Sequence, residues 1–158
     1  MPEQPSPSDV RASLIKYAAF CLSRRPYFEE TIRQKLVLRS KKLKFSEPTK
    51  VITDILKDLK KAGYLDDVYL AQAYVRRQLE KCYGPRIISL KLSRLRLNKD
   101  TIALALEEAD IEKQVESIKK FALKYRKLDK YKLTSKLYSR GFNSQAIKKL
   151  FDVEYLED

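Results

Sequence analysis

The segment IISLKLSRLRLNKDTIALAL (87–106) returns 45 residues later as KLTSKLYSRGFNSQAIKKLF (132–151), with no gap over twenty positions. Lys91-Leu92 falls on Lys136-Leu137, Leu97 on Phe142, Asn98 on Asn143, Ile102 on Ile147 and Leu106 on Phe151. Each copy reads as two short helices parted at an asparagine that can cap the second. TIRQKLVLRSKKLKFSEPTKVITDIL is a looser third copy, with Ile32, Lys35-Leu36, Phe45, Ser46 and Ile52 in the matching roles and a short insertion before Phe45. A further helical segment precedes each copy, so the repeated unit is three helices used three times. The expected division is 1–8 as a flexible N-terminal segment, repeats at 9–65, 66–109 and 110–151, and an acidic tail at 152–158. Units of about 45 residues have too little interior to be very stable alone. They should pack in a row as an elongated, curved, all-α molecule of nine helices.

The rest of the chain supports helices. Only three glycines, at 63, 84 and 141, and few alternating polar-apolar runs leave strands little to build on. Ser8 or Asp9 is expected to cap a first helix with Val10, Leu14, Tyr17, Ala18, Cys21 and Leu22 inside. A second helix carries Ile32, Leu36 and Val37. SEPT (46–49) offers a capping serine and an early-turn proline to a third, with Val51, Ile52, Ile55, Leu56 and Leu59 inward. A fourth runs from Asp67 to near Cys82, with Leu70, Ala71, Tyr74, Val75 and Leu79 on one face. Asp110 is positioned to cap a seventh, which bears Val115, Ile118, Ala122 and Tyr125.

Charge narrows the choice of partner. Thirty-four Lys and Arg against 21 Asp and Glu leave a net +13 on 158 residues, which favours a polyanion or an acidic protein face. The positive charge is clustered with the repeat. Six basic residues and no acid lie between Arg33 and Lys44, eight against Glu80 alone between Arg76 and Lys99, and eleven against Asp129 between Lys119 and Lys149. A stripe with the structural period is the footprint of a contact that tracks a nucleic-acid backbone or a filament. Its expected contact residues are Arg76, Arg77, Lys81, Arg86, Lys91 and Arg94, with Lys35 and Arg39 in the first repeat and Lys136 and Arg140 in the third. Tyrosines at 69, 74, 83, 125, 131 and 138 interleave with it, most at helical spacing that reads as core or groove edge.

Chemistry finds few candidates. There is no histidine, and the only two cysteines, Cys21 and Cys82, are 61 positions apart, so no Cys/His metal site or cofactor site can be written. Both cysteines read as small apolar core residues in a reducing, cytosolic protein. The adjacent acids Asp66 and Asp67 cannot face each other across a substrate, and no glycine-rich phosphate loop exists. The expectation is a non-enzyme. No signal-like start and no 18-residue apolar run argue against secretion or a membrane span. Without coiled-coil heptads, a monomer is expected.

The stretch AGYLDDVYLAQAYVRRQL (62–79) reads as a repeat boundary. Gly63 ends the third helix, Asp66 or Asp67 caps the fourth, and Tyr64 and Leu65 plug the seam beside them. Only Arg76 and Arg77, beyond this corner, are expected to reach a partner.

In order and spacing, SRRPYFEETIRQKL, LKKAGYLDDVYLAQAYVRRQL, GPRIISLKL and KLYSRGFNSQAI resemble the RecX family of bacterial recombination regulators over residues 10 to 151. The resemblance implies three tandem three-helix repeats that bind the RecA recombinase. It further implies that the chain lies in the groove of RecA–DNA filaments and restrains recombination, ATP hydrolysis and the co-protease activity that triggers the SOS response, with direct single- or double-stranded DNA contact as an added expectation. Two positions depart from the family pattern. Tyr27-Phe28 replaces a small polar cap after SRRP, and Arg96-Leu97 replaces the glycine-apolar pair kept as Gly141-Phe142, so Arg96 should need a different helix ending. Rival readings are a helix-turn-helix DNA-binding regulator independent of RecA, and a helical scaffold with an apolar groove.

Overall fold

Helix ends recur with the period of the sequence. A computed structural model describes residues 5–154, with side chains through 152, and among them there are nine α-helices and no strand. They are α1 (Pro7–Arg24), α2 (Glu29–Lys42), α3 (Pro48–Lys61), α4 (Asp67–Glu80), α5 (Pro85–Arg94), α6 (Lys99–Leu106), α7 (Ile111–Lys124), α8 (Lys130–Ser139) and α9 (Ser144–Glu154). Adding 45 to the ends of α5 gives both ends of α8 (85 + 45 = 130, 94 + 45 = 139), and adding 45 to the start of α6 gives the start of α9 (99 + 45 = 144). Asn98 and Asn143 perform the same task at the two starts: the Asn98 side-chain oxygen accepts from the Thr101 amide at 2.7 Å and that of Asn143 from the Gln145 amide at 2.8 Å.

The chain packs as two compact units, residues 1–70 and 71–158, with the division falling inside α4 after its first turn. In the first unit Val10, Leu14, Ala18 and Cys21 of α1 close on Ile32 and Leu36 of α2, Ile52, Ile55 and Leu56 of α3, and Leu65. Each large aliphatic side chain buried here contributes roughly 1.5–3 kcal/mol. In the second unit Val75, Ile88, Leu92, Ile118, Leu137 and Leu150 are the most deeply buried large apolar residues.

Five helices end on a residue in the left-handed region: Lys44 (φ 56°), Gly63 (82°), Cys82 (58°), Arg96 (60°) and Gly141 (87°). In four of them the next amide turns back to the carbonyl five residues earlier, Phe45 to Ser40, Tyr64 to Leu59, Tyr83 to Gln78 and Phe142 to Leu137, at 3.2, 2.9, 3.0 and 3.3 Å. These bonds satisfy carbonyls that a helix C-terminus leaves orphaned. Arg96 therefore shares the left-handed ending of Gly141, contrary to expectation. A side chain in that conformation costs roughly 1–2 kcal/mol.

Three local expectations are corrected. Ser6, not Ser8 or Asp9, caps α1, accepting from the Asp9 amide at 3.2 Å, so Pro7 and Ser8 are already helical. Glu47 rather than Ser46 precedes α3, and no side chain caps it. Cys82 leaves the helical stripe for a left-handed turn and is only half-buried, whereas Cys21 is in the core. Met1–Gln4 and the acidic tail beyond Glu154 lie outside the described residues.

Candidate partner interface

The GYLDD corner shows how the basic tract is held. Gly63 carries the left-handed turn after α3, and Leu65 is buried in the core of the first unit. Tyr64 does not plug a seam, because it is 66% exposed. Asp66 caps α4, its side chain accepting from the Tyr69 amide at 3.0 Å. Asp67 does something else: its carboxylate accepts from the Glu29 amide at 2.8 Å, at the first residue of α2. Phe28 cannot cap that helix, and Asp67 supplies the missing acceptor from 38 residues away. Lys60, in the last turn of α3, pairs with Glu29 at 3.2 Å beside it. Burial raises the Asp67 pKa above its ordinary 3.8, and the Glu29 amide opposes that shift.

In the second unit the α4–α5 and α8–α9 turns meet backbone to backbone. The Gly84 amide donates to the Arg140 carbonyl at 2.8 Å and the Arg86 amide to the Gly141 carbonyl at 3.1 Å. A methyl group on Gly84 would lie 2.3 Å from the Gly141 carbonyl carbon, and one on Gly141 would lie 2.6 Å from the Ile87 nitrogen. Only glycines permit this approach. Arg140 completes the joint: its guanidinium donates to the Cys82 carbonyl at 2.5 Å and the Lys81 carbonyl at 2.7 Å, and stacks over Tyr83 at 4.2 Å. It thereby satisfies carbonyls just past the end of α4, where a cation also complements the helix dipole.

These bonds sort the ten cations expected to reach a partner. Four are tied within the second unit. Arg140 holds the end of α4, Arg86 donates to the Tyr138 carbonyl at 3.0 Å, Lys91 donates to Gln78 at 2.7 Å and stacks on Tyr83 at 3.5 Å, and Arg76 pairs with Glu108 at 3.2 Å. Arg77, Lys81 and Arg94 are exposed and form no ion pair among the described residues. Lys136 is also exposed, with its ammonium 5.5 Å from the Tyr125 ring. In the first unit Lys35 leans on Tyr27 at 5.2 Å and Arg39 on Tyr17 at 5.5 Å, and both are half-buried. The lysine of each Lys-Leu pair in the first two copies thus meets a tyrosine eight residues before it, Tyr27 for Lys35 and Tyr83 for Lys91.

Sequence reasoning missed three buried polar residues that fix this geometry. Gln114 of α7 donates to the Ala109 carbonyl at 2.7 Å and accepts from the Asn143 amide at 3.1 Å, joining the end of α6 to the start of α9. Ser117 donates to the Leu79 carbonyl at 2.5 Å, and Gln78 receives Lys91. A polar residue on the inward stripe of a helix (Gln78 beside Leu79, Gln114 beside Val115) is the signal that could have found the two glutamines. Three carboxylates are held below their ordinary range: Glu108 by Arg76 and then Lys113, Glu112 by Lys149, and Asp129 by the Lys132 amide.

Among the described residues no group of His, Cys, Asp and Glu is placed to hold a metal ion, and no helix is long and apolar enough to cross a membrane. What the helices present is a set of braced and exposed cations, which defines the class as an all-helical, basic protein. No family model matches the chain. It is 32% identical over 148 residues to regulatory protein RecX of Listeria welshimeri, covering 88% of this chain and 52% of that one. It is 32% identical over 108 residues to regulatory protein RecX of Pectobacterium atrosepticum, covering 62% and 67%. A crystal structure of regulatory protein RecX superposes with a TM-score of 0.75 at 28% identity, over 92% of this chain and 73% of that one. RecX from Lactobacillus salivarius shares the fold, with a TM-score of 0.78 at 23% identity over 94% and 99%. The chain belongs to the RecX family of regulatory proteins, and it spans about half the length of the Listeria relatives.

Proposed function

We propose that the chain binds RecA and RecA–DNA filaments in the filament groove and restrains recombinase, ATPase and co-protease activities, acting in DNA repair and SOS regulation. The mechanism is steric and electrostatic and uses no cofactor. A monomer in the cytoplasm goes with this reading. The observation that carries it is the set of exposed cations at consecutive helix ends, Arg77 and Lys81 at the end of α4 and Arg94 at the end of α5, on a member of a regulatory family. Lys91 and Arg140 are bonded within the second unit, to Gln78 and to the Lys81 carbonyl, and brace the helix ends that carry those cations. Several weak contacts from one scaffold add through high effective concentration, so charge reversals in pairs should cost far more than single ones.

The test is binding to RecA filaments on single-stranded DNA against naked DNA at equal salt, with RecA ATPase as the second readout. The Arg77→Glu/Lys81→Glu protein is expected to lose inhibition while keeping its melting temperature. Full inhibition by that folded variant overturns the assignment, and sequence-specific duplex binding without RecA replaces it with the helix-turn-helix reading.

A further inference from the structure

Glu108 lies just past the C-cap of α6, at the helix end where the backbone dipole disfavours a carboxylate. The acid is stabilised instead by two cations from other helices. Arg76 of α4 stands 3.2 Å away and Lys113 of α7 stands 3.3 Å away, so one carboxylate bridges both, while Lys113 also reaches Asp110 at 3.7 Å. Arg76 and Lys113 also line a groove of about 240 Å³ together with the buried Leu79 and Ser117 and with Glu80, Glu116 and Lys120, the last two paired at 3.2 Å. Both cations remain about half exposed, at 45% for Arg76 and 47% for Lys113. The Glu108 contact is open to exchange, since an exposed ion pair is worth at most about a fivefold change in an equilibrium constant.

We propose that Arg76 and Lys113 form a recognition site for an acidic side chain of a partner protein, and that Glu108 occupies this site in cis until the partner's carboxylate displaces it. The ligand already seated there is a carboxylate, which gives the site its chemistry. Glu80, Glu116 and Lys120 give the groove a border of mixed charge, which offers no continuous basic track to a phosphate backbone, so an acidic side chain of a protein is favoured over nucleic acid. The inference rests on the RecA reading only for the partner's identity. Glu108 then sets the threshold of binding: it keeps the two cations engaged in the free protein and lowers affinity for weakly acidic surfaces.

The experiment measures binding of a fluorescein-labelled hexaglutamate peptide, of RecA filaments on single-stranded DNA and of a single-stranded oligonucleotide, at fixed salt. Glu108→Gln is expected to bind hexaglutamate and the filament about three- to fivefold more tightly. Adding Arg76→Gln should erase the gain, and Glu107→Gln, an exposed neighbour with the same change of net charge, should give none. Unchanged hexaglutamate affinity, an equal gain from Glu107→Gln, or a gain for the oligonucleotide instead overturns the site. A hexaglutamate gain with no RecA binding by any variant keeps the site and removes the RecA reading. If Glu108→Gln does not fold, Glu108→Ser, equally neutral, is measured in its place with the same expectation.

Discussion

At the residue scale, the left-handed helix ends carry an accessible prediction. Lys44, Cys82 and Arg96 occupy a conformation that costs a side chain roughly 1–2 kcal/mol and glycine almost nothing. Replacing each by glycine is expected to stabilise the protein by about 0.5–1 kcal/mol after the greater chain entropy of the unfolded state is counted, read as a rise in melting temperature. A fall at all three positions would contradict the assigned backbone. Asp67 is the second case. Asp67→Ala should cost about 1–2 kcal/mol through the lost cap on α2. The raised pKa of Asp67 means that the folded state binds the proton more tightly than the unfolded state. Its charge therefore works against stability as pH climbs from 3.8 through the folded value. Asp67→Asn keeps an acceptor and removes that slope, which denaturant titrations between acidic and neutral pH will show. The sequence announced a capping aspartate in GYLDD, but it could not say that one acid caps its own helix and the other a distant one. The recipient amide is Glu29, and only the fold brings it near.

At the element scale, the joint between the α4–α5 and α8–α9 turns is the most demanding contact in the second unit. Gly84→Ala places a carbon 2.3 Å from backbone that cannot rotate away, and a loss of about 2–3 kcal/mol is expected. Arg140→Lys keeps the charge but loses the planar fork that reaches two carbonyls while stacking on Tyr83. Hydrogen exchange should accelerate at the amides of 82–84 in that variant, while amides of α1 to α3 stay protected. Unchanged exchange would mean that the guanidinium is dispensable. The helices themselves were legible because apolar spacing, Asn98, Asp110 and the glycines are local signals. This joint was not, because Gly84 and Arg140 are 56 positions apart and nothing near either one marks the other. The left-handed Arg96 was misread for a related reason: a repeat's backbone persists where its preferred residue does not.

At the scale of the whole molecule, the charge pattern predicts how the protein responds to its medium. Glu108, Glu112 and Asp129 titrate below their ordinary values of 4.5, 4.5 and 3.8 in the folded state. Their contribution to stability is complete above those values and drains as pH falls through the lowered ones. The melting temperature should therefore decline on acidification below about pH 4.5, and the decline should shrink in Glu108→Gln. A clustered net charge of +13 also implies binding to anionic partners that weakens steeply with salt. Composition alone made that much legible. Which cations are braces and which are exposed was not, since Lys91 and Arg94 look alike in sequence, and only Gln78 and Tyr83 distinguish them.

The acceptor that Asp67 offers to α2 also bears on synthesis. As the chain leaves the ribosome N-terminus first, α1, α2 and α3 are complete by Lys61, yet the Glu29 amide has no side-chain cap until Asp67 has emerged. The first three helices are therefore not a finished piece at the boundary the repeat suggests. A fragment ending at Leu65 should fold less stably than one ending at Leu70 by about the worth of a helix cap, because the longer fragment carries the first turn of α4 and with it the acceptor that α2 lacks.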